Sequence, residues 1–149
     1  MGYDYGFCKK IKSMISVVGI PFDEFSSFMR GPALAPPKIR EAYHSDSANY
    51  FTEGLVNLKN HGGWTDAGDL TLPKGVEAIT AIKESISALL NKSDKVLSLG
   101  GDHSVTYPIV KAFAEKYGKL TILHLDAHGD LYDNFEGNKY SHACPFARI

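Results

Sequence analysis

Two short apolar runs, Lys95–Leu99 and Leu120–Leu125, each stop at a loop rich in carboxylates and imidazoles. The first opens into Gly100-Gly101-Asp102-His103-Ser104, the second into Asp126-Ala127-His128-Gly129-Asp130. Runs this short, bounded by glycine or aspartate, read as buried strands. Between them Tyr107–Tyr117 reads as a helix, with Pro108 tolerated near its start and Gly118 at its end. Upstream, Val76, Ile79, Ile82, Ile86, Leu89 and Leu90 recur at helical steps within Gly75–Asn91, with Lys83, Glu84 and Ser87 between them. Strands alternating with helices over short links predict an α/β fold with a parallel sheet and right-handed crossovers. Such sheets bind ligands beyond the carboxyl ends of their strands, where both polar loops fall.

Ser13–Ile20 is β-branched, closed by Pro21, and reads as the first strand. The preceding Met1–Lys12 carries Lys9, Lys10 and Lys12, but the apolar segment after it lacks the small-x-small pattern of a cleaved signal. Gly31, Pro32, Pro36 and Pro37 predict an irregular Phe22–Pro37, followed by a short helix over Lys38–Ser45. Tyr50–Leu58, broken at Gly54, suits a small hairpin, and Trp64–Ala67 a short strand ending at Gly68-Asp69. At 149 residues and 44% hydrophobic content the chain is sized for one core. A net charge of −1 gives no footprint for nucleic acid or an anionic membrane. No apolar run approaches the roughly 20 residues of a spanning helix. Two cysteines, Cys8 and Cys144, with no CxxC, fit a reducing cytosol. No apolar helix follows Asp126, which would leave a sheet edge unpaired, so the chain is expected to be part of a larger domain.

Residues two apart on an extended stretch point the same way, so Asp126, His128 and Asp130 can converge, with His103 arriving from the neighbouring loop. Two crowded carboxylates repel each other unless a cation holds them ionised. Oxygen and imidazole donors together suit divalent metals. His103, Asp126, His128 and Asp130 are therefore the expected metal ligands. Asp102 is expected either to orient a ligand by a hydrogen bond or to be a solvated loop carboxylate. Ser104 is expected to cap the following helix. His142, in Ser141-His142-Ala143, is a candidate proton shuttle, although a lone loop histidine is more often a surface residue. Cys144 reads as an ordinary loop thiol, His124 as a satisfied interior histidine, and His44 and His61 as turn residues.

At the two polar loops and at Ser141–Phe146 the sequence resembles the ureohydrolase family: arginases, agmatinases, guanidinobutyrases and formimidoylglutamases. Gly19–Asp23, Ser26-Ser27-Phe28, Arg30-Gly31-Pro32, Ala35–Arg40 and Asp66–Asp69 extend the resemblance over about residues 15–148. It implies a three-layer α/β/α sandwich with a mainly parallel sheet and a binuclear manganese centre. In that centre His103 and Asp130 would bind one ion, His128 the other, and Asp126 would bridge them. His142 matches the family's catalytic-loop histidine, which moves protons or orients substrate. The implied reaction is hydrolysis of a guanidino compound to urea and an amine, in the cytoplasm, by a homo-oligomer when full length. Arginases usually carry a polar residue where this chain has Tyr132. That difference, with the Ser141–Phe146 loop, makes the sequence look more like agmatinases, which release putrescine and urea from agmatine. Arginine, guanidinobutyrate and formimino substrates stay open. The family's later S-x-D-x-D motif and its acidic guanidinium-holding residue have no counterpart in this sequence. Residues 1–149 are accordingly expected to be the N-terminal half of a single domain, either of an active enzyme or of a catalytically incompetent remnant.

Overall fold

The computed structural model describes residues 14–93 and 95–149. Cys8, Ser13 and the lysines of Met1–Lys12 lie outside the described residues. Three parallel strands, β1 (Ile15–Gly19), β2 (Trp64–Asp69) and β3 (Lys95–Leu99), form a sheet in the order β2-β1-β3. Val17 stands opposite Asp66 on one side and Leu97 on the other. Because the strands are parallel, Gly19, Asp69 and Leu99 all finish at one edge, as the alternation of strands and helices predicts.

The two-residue period of β1 sends Ser16 and Val18 to one face, where two helices cover them. The longer is α2 (Glu77–Leu90), which buries Ala78, Ile79, Ile82, Ile86 and Leu90. Another helix, joining β3 to the second polar loop, runs Thr106–Tyr117 and buries Pro108 and Ala112. Numbered in chain order this helix is α3, and α1 is Ala35–Tyr43. Val18, Ile20, Phe22, Val105 and the inward residues of α2 form the core. Ile82 and Ile86 are fully buried, each worth about 2 kcal/mol of transfer free energy. Helices on the sheet make this the α/β class expected.

Two expectations change. Helix α1 starts at Ala35 rather than Lys38, with Pro36 and Pro37 in its first turn, where a missing N–H breaks no helical bond. Asp23 prepares that start: its Oδ2 accepts from the backbone N–H of Gly31 at 2.7 Å and of Ala33 at 3.2 Å. The small hairpin over Tyr50–Leu58 is present but short: one antiparallel bridge, Phe51 with Asn57, flanked by the Leu58 N–H on the Tyr50 carbonyl at 2.9 Å and the Thr52 N–H on the Val56 carbonyl at 3.1 Å. The second change is larger. Leu120–Leu125 is not a strand, and Leu123 and Leu125 are 84% and 86% exposed. A strand needs a partner's N–H and C=O groups and a layer for its apolar side. This segment instead stands off from β3, leaving a space of about 410 Å³ bordered by Val96, Ser98, Ile109 and Phe113. A short helix, α4 (Pro145–Arg148), closes the described chain.

Candidate metal centre

The first polar loop is shaped by one glycine and one carboxylate. Gly101 passes so close to Phe22 that a Cβ there would lie 1.8 Å from the Phe22 carbonyl oxygen. The close approach lets the Asp102 N–H donate to that carbonyl at 2.9 Å. Asp102 is 5% exposed. Its Oδ1 accepts from the Ser104 N–H at 2.9 Å and from the Ser104 hydroxyl, and its Oδ2 from the Phe25 N–H at 3.2 Å and Ser26 Oγ at 3.3 Å. Asp102, not Ser104, therefore caps the single turn His103–Val105 that leads into α3. Its extended backbone (φ −75°, ψ 169°) sets the carboxylate over the next turn's N–H groups, while the Ser104 side chain points back as a donor. Asp102 aims His103 by fixing this turn.

At the second loop, His103 Nδ1 lies 2.6 Å from Asp130 Oδ2 and 3.6 Å from Asp126 Oδ2. The backbone here is not the extended stretch expected. It bends at Ala127 and His128, and Asp130 takes a left-handed φ of 47°, which aspartate tolerates better than most residues. The alternation is thereby broken. Asp126 and Asp130 converge on His103, while the His128 imidazole is 81% exposed, with Nδ1 3.7 Å from Asp126 Oδ1. The inner position belongs to His124. Its Nε2 lies 3.5 Å from Asp126 Oδ2, and its ring stacks on Phe146 with centroids 4.0 Å apart. That Nε2 is buried and, among the described residues, has no hydrogen-bond partner, so the expectation of a satisfied interior histidine is overturned. The signal for it was in the sequence: His124 shares the strand phase of Asp126.

Donor atoms of His103, His124, Asp126 and Asp130 all lie within 4.8 Å of one another. Two carboxylates and two imidazoles, one of them with an orphaned buried nitrogen, are a donor set that fits a divalent transition cation. The His128 backbone N–H, 3.0 Å from Asp126 Oδ1, and the nearby His103 and His124 rings hold the Asp126 carboxyl below its usual range. It is therefore ionised at neutral pH.

The third motif joins the same edge. His142 Nε2 is 2.8 Å from Ser27 Oγ, and its N–H donates to the Phe25 carbonyl at 3.2 Å. Phe25 is the residue whose own N–H reaches Asp102, so the two motifs share one tether. Asp130 is tied in turn, its carbonyl accepting from the Phe146 N–H at 3.1 Å. Tyr132 is 61% exposed, with its N–H on the Ala143 carbonyl at 3.3 Å. Cys144 is a free, buried thiol, and burial pushes its pKa up. At the end of β2, Arg40 forks onto Asp66 at 2.7 and 2.9 Å and also reaches Asp69 and the Gly68 carbonyl. The guanidinium holds the Asp66 carboxyl low. This clamp fastens α1 to the sheet edge.

The arginase family profile matches residues 13–149, and the chain belongs to that family. It is 47% identical over 147 residues to arginase 1, mitochondrial, of Arabidopsis thaliana, covering 93% of this chain and 43% of that one. It is 36% identical over 142 residues to an agmatinase of Bacillus cereus, covering 93% of this chain and 48% of that one. Among solved structures, the arginase of Medicago truncatula superposes with a TM-score of 0.86 at 43% identity, over 93% of this chain and 46% of that one. The chain thus spans less than half the length of the relatives it matches.

Proposed function

We propose that this chain supplies part of a manganese centre that hydrolyses a guanidino compound to urea and an amine. The observation that carries the reading is the convergence of His103, His124, Asp126 and Asp130 at the C-terminal edge of a parallel sheet. His103, His124, Asp126 and Asp130 would hold the cation, with His128 at the rim. Bound divalent cations would lower the pKa of water and so provide a nucleophile at neutral pH. Asp130 Oδ2, 2.6 Å from His103 Nδ1, brings a carboxylate donor beside that ring's nitrogen. His142 and Ser27, 2.8 Å apart, form a pair able to pass a proton to a departing amine. Residues 1–149 act in this reading as one part of a single domain.

Two substrates have support. L-Arginine is favoured by the relatives, 47% identity to a protein named arginase against 36% to one named agmatinase. Agmatine is favoured by Tyr132, an aromatic where arginases usually place a polar residue. The test is urea release in Mn²⁺ from each substrate by a chimera in which residues 14–149 replace the matching part of the Medicago truncatula arginase. Urea is expected from one of the two, and is expected to be lost in Asp126→Asn. A folded, Mn²⁺-binding chimera that yields urea from neither would refute it.

A further inference from the structure

Residues 25–27 touch both halves of the site. At one end the Phe25 N–H and the Ser26 hydroxyl donate to Asp102 Oδ2, and so hold the turn that carries His103. At the other, the Phe25 carbonyl accepts the His142 N–H at 3.2 Å, and Ser27 Oγ lies 2.8 Å from His142 Nε2. The loop around His142 is pinned elsewhere too. Tyr140 stacks on Tyr107 of α3 with centroids 6.0 Å apart, and the Phe135 ring meets the His142 ring in a T-shape at 6.4 Å. These contacts fix the backbone of His142 and bound one side of its ring. They leave the ring able to turn about its Cβ–Cγ bond, a soft rotation that exchanges Nδ1 for Nε2. Ser27 is the group placed to oppose that turn. It is exposed, and among the described residues its hydroxyl has no acceptor other than Nε2.

We propose that Ser27 is a positioning residue: its hydroxyl donates to His142 Nε2, holds the neutral ring in the Nδ1–H tautomer and keeps Nε2 turned towards residues 25–27. Serine offers one O–H donor, and a neutral imidazole offers one nitrogen that accepts. With the Ser27 hydrogen on Nε2, the ring's own proton sits on Nδ1. When the ring gains a proton on Nε2, the bond reverses. Nε2–H then donates to Oγ, and the hydroxyl hydrogen turns outward, where a departing amine can take it as Oγ receives the Nε2 proton. The backbone tie to Phe25 keeps serine and ring within reach of each other through both states. What His142 does with its proton rests on the proposed function; how Ser27 sets the ring rests on these contacts alone.

The test reads the ¹⁵N signals of the His142 ring in the chain labelled at histidine, with a chelator present, at about pH 8.5, well above the ordinary histidine pKa. The signals lost in His142→Gln assign the ring, and a nitrogen without a proton resonates far from one that carries it. The Nδ1–H form is expected to dominate in the native chain. Ser27→Ala is expected to shift the tautomer ratio towards Nε2–H by roughly fivefold, the effect of one ordinary hydrogen bond. Ser27→Thr keeps the hydroxyl and is expected to restore the ratio. Ser26→Ala, beside Ser27 but bonded to Asp102 and not to the ring, is expected to leave it unchanged. In the Medicago truncatula chimera, Ser27→Ala is expected to lower kcat for urea release by roughly fivefold with KM unchanged, and Ser27→Thr to recover it. A native ring mainly in the Nε2–H form, a ratio unmoved by Ser27→Ala, an equal shift in Ser26→Ala, or an unchanged kcat in a chimera that releases urea would each overturn the proposal. A chimera that releases no urea counts against the proposed function, and the ring signals still decide the role of Ser27.

Discussion

Asp102→Ala removes a buried carboxylate that receives four hydrogen bonds from two loops. Loss of the cap on the His103–Val105 turn costs about 1 kcal/mol. The Phe25 N–H is then left in a partly buried place without an acceptor, a further cost of about 2 kcal/mol. The sum is about 3 kcal/mol, a large share of the roughly 5–15 kcal/mol of a typical domain. Asp102→Asn keeps an acceptor for the Ser104 N–H but turns an NH₂ donor onto the Phe25 N–H, so a loss of about 2 kcal/mol is expected. Urea unfolding followed by circular dichroism measures both variants, with an unchanged m-value required for the comparison. Hydrogen exchange supplies a second readout, because Phe25 also carries the acceptor for the His142 N–H, whose exchange should quicken in both variants. Losses below about 0.5 kcal/mol, with His142 still protected, would refute the idea that Asp102 ties these loops together.

Gly101→Ala places a methyl against the Phe22 backbone carbonyl, which cannot yield as a side-chain tip can. A loss of about 3 kcal/mol or a collapse of soluble yield is expected, read by the same unfolding assay. Arg40 holds Asp66 below its ordinary value of 3.8, so the stability from this pair is fully present above that value and is lost as the pH falls through the lowered one. Arg40→Met should therefore be less stable than the native chain at neutral pH, with the gap narrowing as the pH falls below 3.8 in acid-unfolding curves. In a Cys8→Ser background, Cys144 should resist iodoacetamide until denaturant is added, because it is buried and its thiol is pushed up. Rapid alkylation of the native protein would contradict its placement.

The fold was legible wherever a periodicity was long or a boundary chemically sharp. The Ile79–Ile82–Ile86 stripe fixed α2, and Gly100-Gly101 ended β3 at the residue expected. The start of α1 was less legible: Pro37 suits a first turn, but Pro36 stands there too, because the N–H groups of a first turn have no intrahelical partner in any case. Leu120–Leu125 has the composition of a strand, but composition cannot supply the neighbour that a strand requires. At the site, His103 is legible because its motif directly follows β3, and Asp126 and Asp130 meet it although no strand precedes them. The outward placement of His128 was illegible because it depends on a bend at Ala127 and His128 and on the left-handed Asp130, which the residue alternation does not encode, whereas His124 is signalled by its phase with Asp126. Asp102 as the tether between loops was equally hidden, since its partner Phe25 is far away in sequence.

The central claim is that His103, His124, Asp126 and Asp130 close on a shared cation. Its most direct test is titration of Mn²⁺ into the chain, followed by loss of the free-ion electron paramagnetic resonance signal. The chain should take up Mn²⁺, His103→Ala and Asp126→Asn should abolish uptake, His124→Phe should weaken it, and Arg40→Met should leave it intact. No uptake by the native chain, or equal uptake by all four variants, would contradict the account.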